Sequence, residues 1–341
     1  MLGRKIRFYA ALMLTIFLLS LTANVVAANS RPAFIKVPKD YPTIGEAIDA
    51  ANPGDVIIVL PGVYKENIVI YKKLTLIGVG RPVIDGGKLG VAVKITSDGV
   101  TFRGFKVVNG DPYGVRVYPN EELSIGVTLQ NNIVTSTTSS NDDPYAAVEG
   151  TGIFISGGSY AGWKCKITMI GNKVVRNKGW GLYIVGAEGE TPYGIKIQYN
   201  KFSFNARDGV AFETVSNAIV ERNIISDNGP GYVGISIFDQ SKNIRIRRNE
   251  ILRNDWGGIW IDHRDNINII IEHNLIAKHR GEPGVGIEIE EQDTISYEAF
   301  TIRWNLIAFN NIGIVLWGGP EENPYPKNLL FSNTIDYTTS Y

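Results

Sequence analysis

The sequence predicts an all-β chain wound into a parallel β-solenoid, because one short pattern recurs at intervals of 23 to 31 residues. Each copy reads I-x-x-N-x-[IVF]-x-x-N, then a short loop, then G-[IVL]-x-[ILF]. The apolar residues alternate with period two, which indicates strands, and no helical pattern separates them. Short strands that recur in this way can bury their apolar faces only by coiling and stacking on the next copy.

Two series of asparagines mark the repeat. The first series lies at Asn172, Asn200, Asn223, Asn249, Asn274, Asn305 and Asn333. The second series follows the first six of these by five residues, at Asn177, Asn205, Asn228, Asn254, His279 and Asn310. Stacked coils lie about 4.8 Å apart, so each side-chain amide should donate to one neighbour and accept from the other. We therefore predict structural asparagine ladders, in which His279 is the single substitution.

A glycine begins the last strand of each repeat, at Gly181, Gly209, Gly234, Gly258, Gly286 and Gly313. The apolar residues of these glycine-headed strands, such as Ile259 and Ile261, should face the core, and the residues between them should face outward. The outward row two residues after the glycine is Tyr183, Ala211, Ser236, Trp260, Glu288 and Val315. The row four residues after it is Val185, Glu213, Phe238, Asp262, Glu290 and Trp317.

This repeat resembles that of the right-handed parallel β-helix proteins, the pectin-lyase-like superfamily. The segment DYPTIGEAIDAANPGDVIIVLPGVYKENIVIYKKLTLIG is similar to the N-terminal segment of pectin methylesterases and of β-helix proteins linked to copper-site assembly. The resemblance implies one β-helix domain over 29–341, with a short capping helix at about 43–52 and regular ladder coils over about 165–341. Ile44, Ala47, Ile48 and Ala51 would form the face of the helix that covers the open end of the solenoid.

No comparable cap follows Asn333, so either a loop at about 318–327 covers the final coil or another chain does.

The motifs of known enzymes in this superfamily are missing or incomplete. The Asp-Phe-apolar-Phe-Gly motif of the esterases is absent, as are the Asn-Thr-Asp, Gly-His-Gly and Arg-Ile-Lys motifs of the polygalacturonases. Asp262 and His263 match two of the three residues of the Asp-Pro-His motif of alginate epimerases. Three histidines, one cysteine and three methionines give little support to a copper site.

The resemblance implies that the glycine-headed strands and their flanking loops form a cleft. Aromatic side chains beside carboxylates suit a saccharide, whose rings stack on aromatic faces while its hydroxyls form hydrogen bonds. The expected substrate-binding residues are Tyr183, Glu213, Phe238, Trp260, Glu288 and Trp317. The alternative is that loops cover these aromatics, which would then form a secondary core.

The expected catalytic residues are Asp262, Glu290, His263 and Arg264. Asp262 and Glu290 stand at equivalent positions of successive coils, so strand spacing predicts carboxylates about 5 to 6 Å apart. Such a pair could share a proton, as in retaining glycosidases, or hold Ca²⁺, as in lyases. His263 and Arg264 could supply a base and a carboxylate clamp, or they could simply form a solvated turn.

The first residues predict export. Arg4, Lys5 and Arg7 precede an apolar run that ends in small residues, which is typical of a signal peptide over 1–28. Removing these three basic residues takes the net charge from 0 to −3, so no nucleic acid is expected as a partner. The single Cys165 cannot form an intramolecular disulfide. Few Cys and Met residues beside many charged ones favour a heat-adapted source.

Two hypotheses follow from these observations. The first is an exported or cell-surface protein that binds a polysaccharide or surface glycan, with lyase, glycoside hydrolase and epimerase reactions all left open. The second is a non-catalytic surface or adhesion module that assembles end to end through its C-terminal coil.

Overall fold

The computed structural model describes residues 31–119, 124–138, 149–156, 164–186, 194–262, 264–290 and 299–340. The predicted signal peptide and His263 lie outside these ranges. The described strands form three parallel sheets of 11 strands each. From Val56–Val59 to Ile312–Leu316 each coil contributes one strand to each sheet, whereas the strand Phe34–Val37 precedes the first full coil and the last coil has only the strands Leu329–Phe331 and Ile335–Thr338. This architecture confirms the predicted β-solenoid. No helix in the described ranges is long and apolar enough to cross a membrane.

The strands of each sheet follow one another from coil to coil. The first sheet contains β1 (Phe34–Val37), β2 (Val56–Val59), β5 (Thr75–Gly78), β8 (Val100–Arg103), β11 (Ser124–Gln130), β14 (Lys164–Ile170), β17 (Ile195–Gln198), β20 (Ser216–Glu221), β23 (Lys242–Arg247), β26 (Ile269–Glu272) and β29 (Phe300–Arg303). The second sheet contains β3 (Val63–Tyr64), β6 (Val83–Asp85), β9 (Lys106–Val108), β12 (Ile133–Thr135), β15 (Lys173–Val175), β18 (Lys201–Ser203), β21 (Ile224–Ser226), β24 (Glu250–Leu252), β27 (Leu275–Ala277), β30 (Leu306–Ala308) and β32 (Leu329–Phe331). The third, which contains the glycine-headed strands, comprises β4 (Ile68–Ile70), β7 (Val93–Ile95), β10 (Tyr113–Val117), β13 (Thr151–Ser156), β16 (Leu182–Val185), β19 (Val210–Glu213), β22 (Val233–Phe238), β25 (Gly257–Ile261), β28 (Val285–Ile289), β31 (Ile312–Leu316) and β33 (Ile335–Thr338).

The core is a set of apolar columns that run along the solenoid. In the glycine-headed sheet, Ile235, Ile259, Ile287 and Ile314 pair in register from coil to coil, and all are buried. Gly258 shows how closely the coils approach one another. A Cβ atom there would lie 2.4 Å from the carbonyl oxygen of Gly286, so a side chain at this position would push the coils apart.

The predicted capping helix is confirmed as α1 (Ile44–Ala50). The Thr43 hydroxyl caps its first turn by accepting from the N–H of Glu46 at 3.1 Å. The Glu66 carboxylate accepts from two more N–H groups of this turn, those of Ile44 and Gly45. The buried face contains Ile44, Ala47 and Ile48, as predicted, and the helix covers the first coils because these residues pack into the main core.

The first asparagine ladder satisfies backbone groups that the turn leaves outside the sheets. The Asn249 side chain donates to Asn274 Oδ1 at 3.0 Å and to the carbonyl of Val220 at 2.9 Å. Its Oδ1 accepts from Asn223 at 3.0 Å. The ladder comprises Asn132, Asn172, Asn200, Asn223, Asn249, Asn274, Asn305 and Asn328. It therefore begins one coil before the predicted start of the regular coils.

The assignment of Asn333 to this ladder was wrong. Asn305 donates to Asn328 Oδ1 at 2.9 Å, whereas Asn333 accepts from Asn310 at 3.2 Å and belongs to the second ladder. The sequence pattern misled because Asn333 has the expected aliphatic residue, Leu330, three positions before it. Asn328 is preceded at that position by Tyr325, which the structure buries in the core. Tyr325 thus places one residue of the loop at 318–327 in the core of the solenoid.

His279 interrupts the second ladder. Its Nδ1 lies 3.2 Å from the carbonyl oxygen of Asn254, which identifies Nδ1 as the donor. Its Nε2 is buried and has no hydrogen-bond partner. This Nε2 atom would lie 2.9 Å from a Cβ at Gly258, and the equivalent atom beside Gly234 is the Nδ2 of Asn254. An asparagine at position 279 would therefore reach the same place and offer the missing Oδ1.

We predict that His279→Asn stabilises the protein by about 1 kcal/mol at pH 7, because it removes a buried unsatisfied nitrogen and restores the ladder. Burial lowers the pKa of His279 from 6.5 to about 4, and its hydrogen bond to Asn254 opposes this shift only partly. The folded pKa lies below the unfolded pKa, so the contribution of His279 is complete above about pH 6.5 and is lost as the pH falls towards 4. The advantage of the variant should therefore grow on acidification, as measured by urea unfolding at several pH values.

The matched control is His273→Asn, which makes the same substitution at an exposed turn position. It should unfold at nearly the same urea concentration as the wild type. A His279→Asn variant that is less stable at pH 7 would contradict the prediction and would mean that the volume of the imidazole ring outweighs its unpaired nitrogen.

Candidate functional site

The register of the glycine-headed sheet confirms the two outward rows. Ser236 pairs with Trp260, Trp260 with Glu288, and Glu288 with Val315. In the second row, Val185 pairs with Glu213, and Glu213 pairs with Phe238. These positions alternate with buried apolar residues, such as Phe212 and Ile259, so their side chains lie on the outer face of the sheet.

A groove of about 310 Å³ lies on this outer face, across the strands β22, β25 and β28. The described residues that line it are Trp180, Asp208, Gly231, Tyr232, Val233, Phe238, Trp256, Trp260, Glu288 and Glu290. Of the residues expected from the sequence to bind substrate or act in catalysis, Phe238, Trp260, Glu288 and Glu290 are part of this lining. The groove therefore brings aromatic faces and carboxylates together at one place.

Hydrogen bonds from indole N–H groups to carboxylates fix the tryptophans of the groove. Trp260 donates to Glu290 Oε1 at 3.0 Å. Glu288 accepts from two indoles, Trp256 at 3.1 Å and Trp317 at 2.9 Å, one on each of its carboxylate oxygens. The Trp260 ring also meets Phe238 edge to face, with ring centroids 5.2 Å apart. These contacts hold the rings in place without any ligand.

Asp208 closes one end of the groove and is only 3% exposed. Its carboxylate accepts from the Trp180 indole at 3.1 Å, from the Ser236 hydroxyl at 2.8 Å and from the N–H of Val233 at 2.8 Å. Burial raises the pKa of Asp208 to about 6 in spite of these three donors and of the nearby Arg207. The loss of water outweighs the hydrogen bonds because this carboxylate is almost fully enclosed.

The expected carboxylate pair has the predicted register, but its two members have different hydrogen-bond partners. The N–H of Glu290 donates to the carbonyl of Ile261, which places Glu290 beside Asp262 on the next coil. The Asp262 carboxylate accepts from the Asn266 amide at 3.0 Å and from the N–H of Arg264 at 3.2 Å. Burial raises its pKa. Asp262 is thus a buried acceptor at the turn, whereas Glu290 borders the groove through its bond to Trp260.

Arg264 is exposed and forms an ion pair with Asp239, and the resulting hydrogen bond raises the pKa of its guanidinium. Neither Asp262 nor Arg264 is among the described residues that line the groove. His263 lies outside the described residues.

Tyr183 belongs to a second buried cluster with Tyr113, Phe154 and Trp180, and it is only 7% exposed. Its hydroxyl donates to Glu213, whose pKa is raised by burial. For these coils the structure agrees with the alternative reading of the aromatic residues as a secondary core. Trp317 packs on Val285, Ile312 and Val315 in a third cluster, and its indole donates to Glu288, which lines the groove.

Four aromatic or acidic residues of the lining were not predicted from the sequence, namely Trp180, Asp208, Tyr232 and Trp256. All four stand one or two residues before the glycine that begins a strand, whereas only the residues after it were considered. A search for aromatic and acidic residues on both sides of the repeated glycines would have found them.

The described residues contain no group of three or more His, Cys, Asp or Glu side chains arranged to hold a metal ion. Cys165 is buried, and burial raises the pKa of its thiol, so it is an inert core residue.

We predict that the free energy of unfolding of the wild type falls relative to that of the Asp208→Asn variant as the pH rises from 4 to 8. The folded pKa of about 6 lies above the ordinary 3.8, so the contribution of this group is complete below about pH 3.8 and is lost as the pH rises through about 6. The change should amount to about 1 to 3 kcal/mol in unfolding experiments followed by tryptophan fluorescence. A difference between the two proteins that does not vary with pH would show that Asp208 does not titrate in this range.

Comparisons with known proteins agree with this architecture. A sequence profile described as a right-handed β-helix region matches residues 151–335. A cell surface glycoprotein from Methanothermus fervidus is 30% identical over 131 residues, which are 38% of this chain and 21% of that relative. The chain therefore spans about a fifth of the length of this relative.

Three solved structures share the fold at low identity. A lacto-N-biosidase from Eubacterium ramulus has a TM-score of 0.65 at 14% identity, over 89% of this chain and 66% of that one. A pectate lyase has a TM-score of 0.53 at 15% identity, over 88% of this chain and 78% of that one. The A-module of a mannuronan C-5 epimerase from Azotobacter vinelandii has a TM-score of 0.51 at 16% identity, over 90% and 97%. Together with the profile match over more than half of its length, these likenesses show that the chain belongs to the right-handed parallel β-helix family.

Proposed function

We propose that this protein binds a saccharide in the groove of the glycine-headed sheet. The observation that carries the proposal is the fixed arrangement of Trp256 and Trp260 beside Glu288 and Glu290. The faces of sugar rings stack on indole rings, and sugar hydroxyls donate to carboxylates. Because the indoles are already held by hydrogen bonds, binding would not have to order them.

The relatives support a location and a ligand class for this proposal. The name of the Methanothermus fervidus relative supports a cell-surface or secreted location, in line with the signal peptide expected over 1–28. The structural neighbours are a lacto-N-biosidase, a pectate lyase and a mannuronan C-5 epimerase, which supports a carbohydrate as the partner in general. Polysaccharide or surface glycan is therefore the proposed ligand class.

Binding is supported better than any single reaction. Glu290 is the only member of the expected catalytic set among the described residues that line the groove. Asp262 and Arg264 are not among the described residues that line it, and Arg264 is already paired to Asp239. If the protein is an enzyme, the proposed reaction classes are those of a lyase, a hydrolase or an epimerase, with or without Ca²⁺. Release of products from a panel of saccharides tests for each of these reactions.

The second candidate is a non-catalytic surface module that associates through its last coil. Its supporting observation is the exposure of Leu329, Phe331 and Ile335 on the strands β32 and β33. Exposed apolar groups on a terminal coil can be covered by a second copy. Sedimentation at increasing protein concentration would detect this association.

We predict that Trp260→Ala weakens saccharide binding by about 1 to 3 kcal/mol, because it removes the ring on which a sugar would stack. Calorimetry against a panel of oligosaccharides, with Ca²⁺ or with a chelator, measures the affinity, and the release of reducing ends or unsaturated products reports turnover.

The matched control is Trp304→Ala. Trp304 is 47% exposed and stacks on His273 at the turn between the first and second sheets, away from the groove. The control should bind like the wild type. If no oligosaccharide binds the wild type, or if both variants bind equally well, the groove is not a saccharide site, and the surface-module candidate takes its place.

A further inference from the structure

We propose that the turns between the first and second sheets carry a second binding site, which takes an acidic polysaccharide. This site shares no residue with the groove of the glycine-headed sheet, so the inference goes beyond the proposed function and does not rest on it. It is carried by an arginine cluster on the outside of the solenoid. The arginine cluster comprises Arg222, Arg245, Arg247, Arg248 and Arg303, together with the two glutamates Glu221 and Glu272.

Two arginines of the next coil hold Glu221. Arg247 and Arg248 donate to its two carboxylate oxygens, each at 3.2 Å. Glu221 is buried, whereas half of the Arg248 side chain is exposed. Burial alone would raise the pKa of Glu221, but hydrogen bonds from Gln198 and the two arginines outweigh it and lower the pKa. This carboxylate therefore stays charged and neutralises one of its two guanidinium partners.

Glu272 repeats this arrangement two coils further on. Arg303 donates to it at 2.9 Å, and the guanidinium of Arg245 lies 3.8 Å from its other oxygen. Glu272 is buried, while the side chains of both arginines are partly exposed. Here too, two positive charges meet one buried carboxylate.

Arg222 and Arg248 lie on an exposed ridge that runs along the solenoid. Successive coils place Tyr199, Arg222, Arg248 and His273 at the residue before the ladder asparagine, and all four are exposed. They share a positive φ of 54° to 57°, so their side chains leave the turn in the same direction. Arg222 donates to the Tyr199 hydroxyl at 2.7 Å and forms no ion pair with any described residue. With Arg222, the arginine cluster has three more guanidinium groups than carboxylates.

The other charges of these turns do not remove this excess. The turns at 198–201, 221–224, 247–250, 272–275 and 303–306 all lie within the described residues. Their remaining charged residues are Lys201 and Glu250, which have opposite signs. At the turn between the second and third sheets, by contrast, Arg253 meets the carboxylate of Asp227 through two hydrogen bonds of 2.8 Å. That pair is balanced, whereas the arginine cluster is not.

An excess of guanidinium groups in a row suits a linear polyanion. Coils lie about 4.8 Å apart, which is close to the length of one sugar residue in an extended polysaccharide. A guanidinium group offers parallel N–H donors to a carboxylate or a sulfate, and the bonds to Glu221 and Glu272 show that these arginines bind carboxylates. An acidic glycan that runs along the ridge therefore brings one anionic group to Arg222 and another to Arg248 on the next coil.

The test compares ligands that differ in charge. A galacturonate hexamer, its fully methyl-esterified form and a sulfated heparin hexamer are titrated into the protein by calorimetry in the presence of a chelator. We expect the better of the two acidic hexamers to bind at least about tenfold more tightly than the ester at low ionic strength. This advantage should shrink at high ionic strength, because salt screens exposed charges.

The decisive variant is the double substitution Arg222→Gln and Arg248→Gln. Arg247 and Gln198 remain as hydrogen-bond partners of Glu221, so the variant should fold. It should bind the better acidic hexamer at least about tenfold more weakly than the wild type does. Arg222→Gln alone disturbs no ion pair among the described residues and should weaken binding by about threefold.

The matched control is the double substitution Arg176→Gln and Lys278→Gln, which removes the same charge from the turns between the second and third sheets. Both residues are exposed, have positive φ and lie over phenylalanine rings, much as Arg222 lies over the ring of Tyr199. This control should bind the acidic hexamers like the wild type. Circular dichroism checks that all variants are folded.

Several results would contradict the inference. One is that neither acidic hexamer binds more tightly than the ester. Another is an equal loss of affinity in both double variants, which would be an effect of net charge alone. A DNA oligonucleotide or phosphatidylglycerol vesicles that bind more tightly than both acidic hexamers would identify another ligand class. If Trp260→Ala abolishes binding of the acidic hexamers and the double arginine variant does not, they bind in the groove instead.

Discussion

The stacking of one coil on the next depends on asparagine side chains that lie inside the turns. A strand in a sheet finds hydrogen-bond partners on its neighbours, but the turn between two sheets leaves backbone groups that need other partners. Asn249 supplies them from the interior, since it connects the carbonyl of Val220, on the coil before, with Asn274 on the coil after. Because the same asparagine recurs in successive coils, the chain leaves the sheet at the equivalent residue in each coil. A slip of one residue would reverse every side chain of a strand and would bury Trp260.

This alignment of successive coils makes a groove possible on the outer face. Trp260, Glu288 and Val315 stack in one outward row because their coils are in register. Each indole–carboxylate bond then joins adjacent coils, as between Trp260 and Glu290. The groove thus depends on the repeat, which aligns the outward rows, and on a few outward residues that differ from one coil to the next. Such an arrangement is rigid before any ligand arrives, which lowers the entropy cost of binding.

Two buried titratable groups affect stability, one in the second asparagine ladder and one at the groove. His279 takes the place of a ladder asparagine and favours its neutral form, so its effect on stability appears as the pH falls. Asp208 lines the groove and accepts from the Trp180 indole, and its effect appears as the pH rises through about 6. The two trends have opposite signs because burial disfavours the charged form of a base and of an acid alike.

The sequence by itself determined the fold, the apolar columns and the outward rows. These follow from a period-two alternation repeated coil after coil, in which Ile259 must face inward if Trp260 faces outward. It also determined the capping helix, through the spacing of Ile44, Ala47 and Ile48. The position of Asn333 could not be read in the same way. The interval from Asn305 is 23 residues to Asn328 and 28 to Asn333, and both intervals occur elsewhere in the repeat. Spacing therefore could not decide between them, and the last coil buries Tyr325 where the pattern expects an aliphatic residue.

Only the tertiary structure decided which outward residues form the groove. Trp180 and Trp256 precede their glycines, and their distance from Asp208 and Glu288 depends on how the loops between coils fold back. It also decided that Tyr183 is buried while Trp260 borders open space, although the two residues are equivalent in the repeat. The physical reason is that a repeat fixes backbone register and side-chain direction. The covering of an outward side chain depends on contacts between coils and on loops that do not repeat.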